Sequence, residues 1–175
     1  MSDPGPRPDL QLGHVEVICG PMFSGKTEEL IRRLRRAEIA RQKVQLFKPS
    51  IDNRYSDSDV VSHDAQRARA IAVGSSAELA DLVDPDTHVV AIDEAQFFDP
   101  GIVPMVDRMA TLGRRIIVAG LDTDYRSVAF DPMPALMAGA EYVTKLMAIC
   151  IQCGNPANRT LRLYGGNERV EVGAT

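Results

Sequence analysis

The 175-residue chain predicts an α/β fold: a parallel sheet with helices packed on both faces. Three features carry that expectation. Short, almost wholly apolar runs alternate with helical periodicity, as in strands buried on both faces and joined by crossover helices. One such run, Val15-Glu16-Val17-Ile18-Cys19, leads into Gly20-Pro21-Met22-Phe23-Ser24-Gly25-Lys26-Thr27, a G-x-x-x-x-G-K-[ST] octet that opens a charged helix. Another, Val89-Val90-Ala91-Ile92, ends in the acidic pair Asp93-Glu94. In open parallel sheets ligands sit beyond the carboxyl ends of the strands. The octet, the acidic pair and Gly120–Arg126 are therefore expected along one edge.

His14–Cys19 is the first strand. From Thr27 to about Arg41, Leu30, Ile31, Leu34, Ala37 and Ile39 form an apolar helical stripe. The opposite face, with Arg32, Arg33, Arg35, Arg36 and Arg41, reads as a solvated surface or a subunit contact. Val44–Phe47 is a second strand, stopped by Lys48-Pro49. Ser50 to about Arg69 is polar and without strong period, the mark of a lid or a disordered segment. Ala70–Val73 follows as a short strand and Ser75–Val83 as a short helix capped by Ser75 or Ser76. His88–Ile92 is a buried strand, Val103–Leu112 a helix and Ile116–Ala119 a further strand. Met133–Ala140 is a short helix and Tyr142–Leu146 the last strand. Residues 1–12 read as a proline-rich disordered tail, residues 13–147 as the main domain with a lid at about 50–69, and residues 148–175 as an appendage.

Composition narrows the function. The apolar fraction is 45% and the charged fraction 25%, ordinary for a globular domain. A net charge of −4 gives no general attraction to nucleic acid, and no apolar run approaches membrane-spanning length. The three cysteines, an odd number, argue against a disulfide framework, and the simplest setting is the reducing cytoplasm. The start of the chain lacks the basic-then-apolar layout of a signal peptide.

The chemistry follows from the residue types. Glycines let the octet fold around a phosphate chain with its N–H groups inward, Lys26 reaches the outer phosphates, and the Thr27 hydroxyl can ligate Mg²⁺. The positive end of the following helix adds to the same field. Asp93 at its strand end can hold the metal opposite Thr27. Glu94 can accept a proton from an attacking hydroxyl or water. The pair alone leaves the nucleophile open. Motor ATPases and helicases use water, whereas a kinase needs a second pocket for an acceptor hydroxyl.

A family resemblance then enters on specific residues. Gly20 through Leu30, Lys48-Pro49 with Asp52, Arg54 and Tyr55, Asp93-Glu94-Ala95-Gln96-Phe97-Phe98, Ala119-Gly120-Leu121-Asp122 and Asp124-Tyr125-Arg126 resemble thymidine kinase of the compact zinc-ribbon class (type II). Val143-Thr144-Lys145-Leu146, Cys150-x-x-Cys153 and Asn158-Arg159-Thr160 extend the likeness, which covers nearly everything from Val15 onward. The resemblance implies a RecA-like P-loop NTPase sheet with a small C-terminal zinc-ribbon and lasso appendage. It implies transfer of a phosphoryl group from Mg·ATP to the 5′-hydroxyl of thymidine or deoxyuridine, with Glu94 as general base. ATP would be held by Gly20, Pro21, Met22, Phe23, Ser24, Gly25, Lys26 and Thr27 together with Asp93, Glu94, Ala95 and Gln96, and Mg²⁺ by Thr27 and Asp93. Met22, Phe97, Leu121, Tyr125, Phe130 and Thr160 would line the nucleoside pocket, although Leu121 and Phe130 also suit an ordinary core. Arg54 would reach phosphate oxygens from the lid. Tyr164–Thr175 resembles the lasso over the base, where backbone groups about Glu171, Val172 and Gly173 would read the pyrimidine edge. A homotetramer and feedback inhibition by dTTP are further implications, with no nucleic-acid or membrane partner.

Two departures stand out. Cys150-Ile151-Gln152-Cys153-Gly154 has the shape of one zinc knuckle, but structural zinc takes four ligands and no cysteine or histidine follows Cys153 in this sequence. Val128-Ala129-Phe130-Asp131 stands where the family has Pro-Phe-Gly, so the turn before Phe130 is less predetermined. Two competing readings are a polynucleotide-stimulated ATPase and a nucleotide-binding scaffold made inactive by an incomplete C-terminus.

Overall fold

The computed structural model describes residues 13–50 and 70–162. The expected tail, nearly all of the expected lid with Arg54, and the lasso with Glu171, Val172 and Gly173 lie outside the described residues. Six strands, β1 (His14–Cys19), β2 (Val44–Pro49), β3 (Ile71–Val73), β4 (Val89–Ile92), β5 (Arg115–Gly120) and β6 (Tyr142–Lys145), form one sheet in the order β3-β2-β4-β5-β1-β6. Every pairing within it is parallel. The helices are α1 (Lys26–Ile39), α2 (Ser76–Leu82), α3 (Ile102–Thr111) and α4 (Met133–Gly139). A two-stranded antiparallel hairpin, β7 (Ala148–Ile149) and β8 (Pro156–Ala157), follows. The predicted α/β class and the parallel sheet are what the chain adopts.

Period-two alternation divides the core between the two faces of the sheet. Val15, Val17 and Cys19 of β1 face the layer of α2, α3 and α4, with Leu79, Ile102, Met109 and Met133. Ile18 faces the other way, toward Leu30, Leu34 and Ala37 of α1. Fully burying a leucine such as Leu30 or Leu34 contributes about 1.5–3 kcal/mol, so the α1 stripe is enough to seat that helix. Ser75 caps α2 by accepting from Glu78 N at 3.1 Å, while Glu78 reaches back to accept from Gly74 N at 2.6 Å.

The structure corrects four expectations. Ile39 is 82% exposed, because α1 ends there and the sheet no longer lies beneath it. Arg33 is not solvated: its guanidinium turns inward to Glu16 at 2.6 Å and Glu29 at 2.8 Å, and donates to the Thr144 hydroxyl at 2.9 Å. β2 runs through Lys48 and Pro49, which pair with Ala72 and Val73. The sheet is also not covered everywhere, since three of the four β6 residues are exposed at its edge.

Candidate active site

The phosphate loop springs from β1 with two glycines, one in a left-handed conformation and one with no room for a side chain. Gly25 is left-handed at φ 83°, and a Cβ on Gly20 (φ 148°) would stand 2.4 Å from Leu146 O. Pro21 O accepts from both the Ser24 hydroxyl at 2.8 Å and Lys26 Nζ at 2.7 Å. Burial lowers the Lys26 pKa, opposed by the charges of Glu94, Asp93 and Asp122. The three carboxylates therefore gather about Lys26 at one end of the sheet, the edge where the sequence expects the octet, the acidic pair and Gly120–Arg126. Phe23, at the tip of the loop, is almost wholly exposed with φ 61°.

The acids stand opposite. Asp93 Oδ2 accepts from Thr27 Oγ1 at 3.1 Å, and Oδ1 accepts from Glu94 N at 3.0 Å. Burial pushes the Asp93 carboxyl up, and the neighbouring Glu94 adds to the rise. A half-buried carboxylate beside a hydroxyl is a donor set that fits a hard divalent cation. Glu94 itself is left-handed (φ 53°, ψ 40°), a conformation a non-glycine residue adopts at a cost. The bend starts the 3₁₀ turn Ala95–Phe97 and brings Gln96 beneath the acid. Gln96 donates from Nε2 to Glu94 Oε2 at 2.5 Å and accepts at Oε1 from Leu121 N at 3.0 Å. Expected from the sequence as a nucleotide-side residue, Gln96 also links β4 to the loop after β5.

That loop builds an aromatic wall. Phe97 and Phe130 meet edge to face, 5.8 Å between centroids at 87°. Leu121 and Tyr125 are half-buried and Phe130 is buried. The Arg162 guanidinium lies 3.9 Å above the Tyr125 ring, with Arg126 at 5.5 Å. Without the family's proline and glycine, the turn is organised by the Asp124 carboxylate. Its Oδ1 accepts from Arg126 N at 2.9 Å and Val128 N at 3.0 Å. Ser127 takes the left-handed position at φ 63°, and Phe130 N donates to Asp122 O at 3.0 Å. Thr160 Oγ1 accepts from Met22 N at 3.0 Å, bringing two residues of the expected pocket to the phosphate loop. Sequence reasoning expected Gly120–Arg126 at this edge but assigned no role to Asp122, Asp124, Lys145 or Arg162. The one available signal was a pair of aspartates just past a buried strand.

Cys150 and Cys153 occupy the turn of the β7–β8 hairpin, closed by Gly154 N to Cys150 O at 2.8 Å and Cys150 N to Asn155 O at 2.9 Å. Backbone N–H groups of Cys153 and Gln152 hold the Cys150 thiol below its ordinary range, which favours a thiolate. Among the described residues no group of three or more His, Cys, Asp or Glu is placed to hold a metal. Cys19, in contrast, is buried and its thiol is pushed up by that burial.

A glycine loop at a helix start, a lysine under it, and an acid pair across the sheet edge define a P-loop nucleotide-binding protein. Gln96 joins the acid to the loop after β5, beside the Phe97–Phe130 ring pair. Residues 13–175 match the thymidine kinase family, and the chain belongs to it. It is accordingly a kinase with ATP and thymidine as substrates. No helix among the described residues is long and apolar enough to cross a membrane.

Proposed function

We propose that the chain transfers the γ-phosphate of Mg·ATP to the 5′-hydroxyl of thymidine, or of deoxyuridine, giving dTMP or dUMP for nucleotide salvage. The observation that carries this reading is the Glu94–Gln96–Leu121 chain of hydrogen bonds, which ties the candidate base to the loop that carries Leu121 and Tyr125. The loop amides and Lys26 hold the phosphates at the start of α1. Magnesium, held by Thr27 and Asp93, would neutralise charge on the phosphate oxygens. Glu94 takes the proton of the 5′-hydroxyl as its oxygen bonds to the γ-phosphorus, while the bond from that phosphorus to the bridging oxygen breaks and ADP leaves. Leu121, Phe97, Phe130, Tyr125, Met22 and Thr160 accept the planar base and keep water from competing for the phosphorus.

The remaining parts of the reading rest on the family resemblance. Backbone groups at Glu171, Val172 and Gly173 read the pyrimidine edge, and Arg54 meets phosphate oxygens from the lid. Zinc binds Cys150 and Cys153, with two further ligands completing its tetrahedron. The enzyme works in the cytoplasm as a homotetramer inhibited by dTTP.

The test is labelled thymidine with Mg·ATP, comparing the parent protein with Glu94→Gln. The parent should form labelled monophosphate, and the variant should keep ATP binding while turnover falls by about 10²–10⁴-fold. Unchanged turnover in the variant removes Glu94 from the mechanism. ATP hydrolysis stimulated by polynucleotide, with no labelled nucleotide formed, overturns the kinase reading.

A further inference from the structure

β6 is bonded to the sheet on one side only, through β1, and most of its side chains face solvent. At its carboxyl end, besides Lys145, only Leu146, packed on the α1-side core, and the Arg33–Thr144 hydrogen bond hold it from the other elements among the described residues. That end nevertheless forms one wall of the phosphate loop. Lys145 is the register partner of Cys19, the last residue of β1, and Leu146 N donates to Cys19 O at 2.8 Å. The next residue is Gly20, whose Cα has no room for a Cβ beside Leu146 O. Any slip of the β6 end therefore runs directly into the first residue of the loop.

The other neighbour of Cys19 is Gly120 of β5. Two residues beyond it, Asp122 Oδ2 lies 2.7 Å from Lys145 Nζ. The ion pair thus spans from β5 to β6 across the end of β1, at the point where the loop begins. Asp122 is 6% exposed, and neither of its carboxylate oxygens has a hydrogen-bond partner among the described residues, so Oδ2 meets Lys145 as an ion pair only. A buried carboxylate so poorly satisfied is a poor device for stability alone, because a well-packed apolar pair would serve as well or better. The same carboxylate is one of three whose charge reaches Lys26.

We propose that Asp122 and Lys145 are positioning residues: their ion pair locks the β6 end against β1 and so sets the phosphate loop for the donor nucleotide. The inference rests on the phosphotransferase reading above and adds two residues that touch no substrate.

The experiment uses the full chain with Lys145→Gln, Asp122→Asn, both together, and Lys145→Arg. Lys145 is half exposed, so its glutamine variant buries little that is new. The double variant leaves no unpaired charge buried. ATP affinity with magnesium and thymidine affinity are measured separately by calorimetry, alongside thermal unfolding. ATP affinity should fall about tenfold in the glutamine, asparagine and double variants, and thymidine affinity should stay within about twofold. Lys145→Arg, which keeps the pair, should bind ATP like the parent. A folded double variant with parental ATP affinity overturns the proposal, as does an equal loss for both ligands. If the double variant does not fold, Lys145→Gln decides: ATP binding equal to that of Lys145→Arg overturns it. A parent protein that binds ATP but phosphorylates no nucleoside sinks the functional reading and leaves this comparison intact.

Discussion

Gln96→Leu separates the architecture of the site from its chemistry. Gln96 is 3% exposed and makes two hydrogen bonds, one to a carboxylate and one from a backbone N–H. Leucine fills a similar volume, so little cavity opens. The loss is then electrostatic. A hydrogen bond to a charged group contributes about 1.5–3 kcal/mol, and an orphaned buried donor costs about 1–3 kcal/mol. Better burial of the apolar leucine offsets about 1–2 kcal/mol. The net destabilisation expected is about 2–4 kcal/mol, or about 5–15 °C in melting temperature for a domain of this size. Glu94, released from its donor, samples other rotamers, and turnover should fall by about 10–100-fold. The Michaelis constant for ATP should hardly move, because the two hydrogen bonds lost run to Glu94 and Leu121 and neither reaches the phosphate loop. Urea unfolding and initial rates at saturating thymidine read the two effects separately. A variant within about 0.5 kcal/mol of the parent, or with full turnover, would refute the reasoning.

Two further outcomes are expected. Burial alone would raise the Glu16 carboxyl, but hydrogen bonds from Arg115 and His14 and the charges of Arg115 and Arg33 bring it below the ordinary range. A depressed folded-state value stabilises above the unfolded value and loses that contribution as pH falls through the folded one. Glu16→Gln should therefore cost about 2 kcal/mol at neutral pH. The gap between variant and parent should close as pH falls below the ordinary carboxylate value of about 4. An equal gap at both ends of a pH series of unfolding curves would contradict this. Gly20→Ala places a methyl group 2.4 Å from Leu146 O, so the loop or the β6 end must move. ATP affinity should drop by at least about tenfold in a titration, and parental affinity would show the loop to be more tolerant than its geometry.

The fold was legible because its strands are short, apolar and separated by helix-length periods. β1, β4 and β5 could be placed to within a residue or so from that pattern. The phosphate loop and the Thr27–Asp93 pairing were legible for a different reason: a loop that must wrap phosphate tolerates few sequences. The β7–β8 hairpin was not legible as strands, because two-residue strands carry no period. Gln96 belonged to a motif, but its bridge depends on the left-handed bend at Glu94, which no local preference of glutamate announces. Arg33 looked like one arginine among many on a polar helix face. Its partner Glu16 lies in an otherwise apolar strand, and only the packing of α1 on β1 brings the two together.

β5 stands between β1 and β4, so the strand that bears the phosphate loop and the strand that bears the acids are two inter-strand steps apart. At about 4.8 Å per step, that is a span of about 9.6 Å. Across that span the Thr27 hydroxyl still reaches Asp93 at 3.1 Å. Backbone hydrogen bonding thus fixes where the two motifs are rooted, and their loops and side chains close the remaining distance. Exchanging side chains around the acids would therefore leave those anchorages where the ladder has set them.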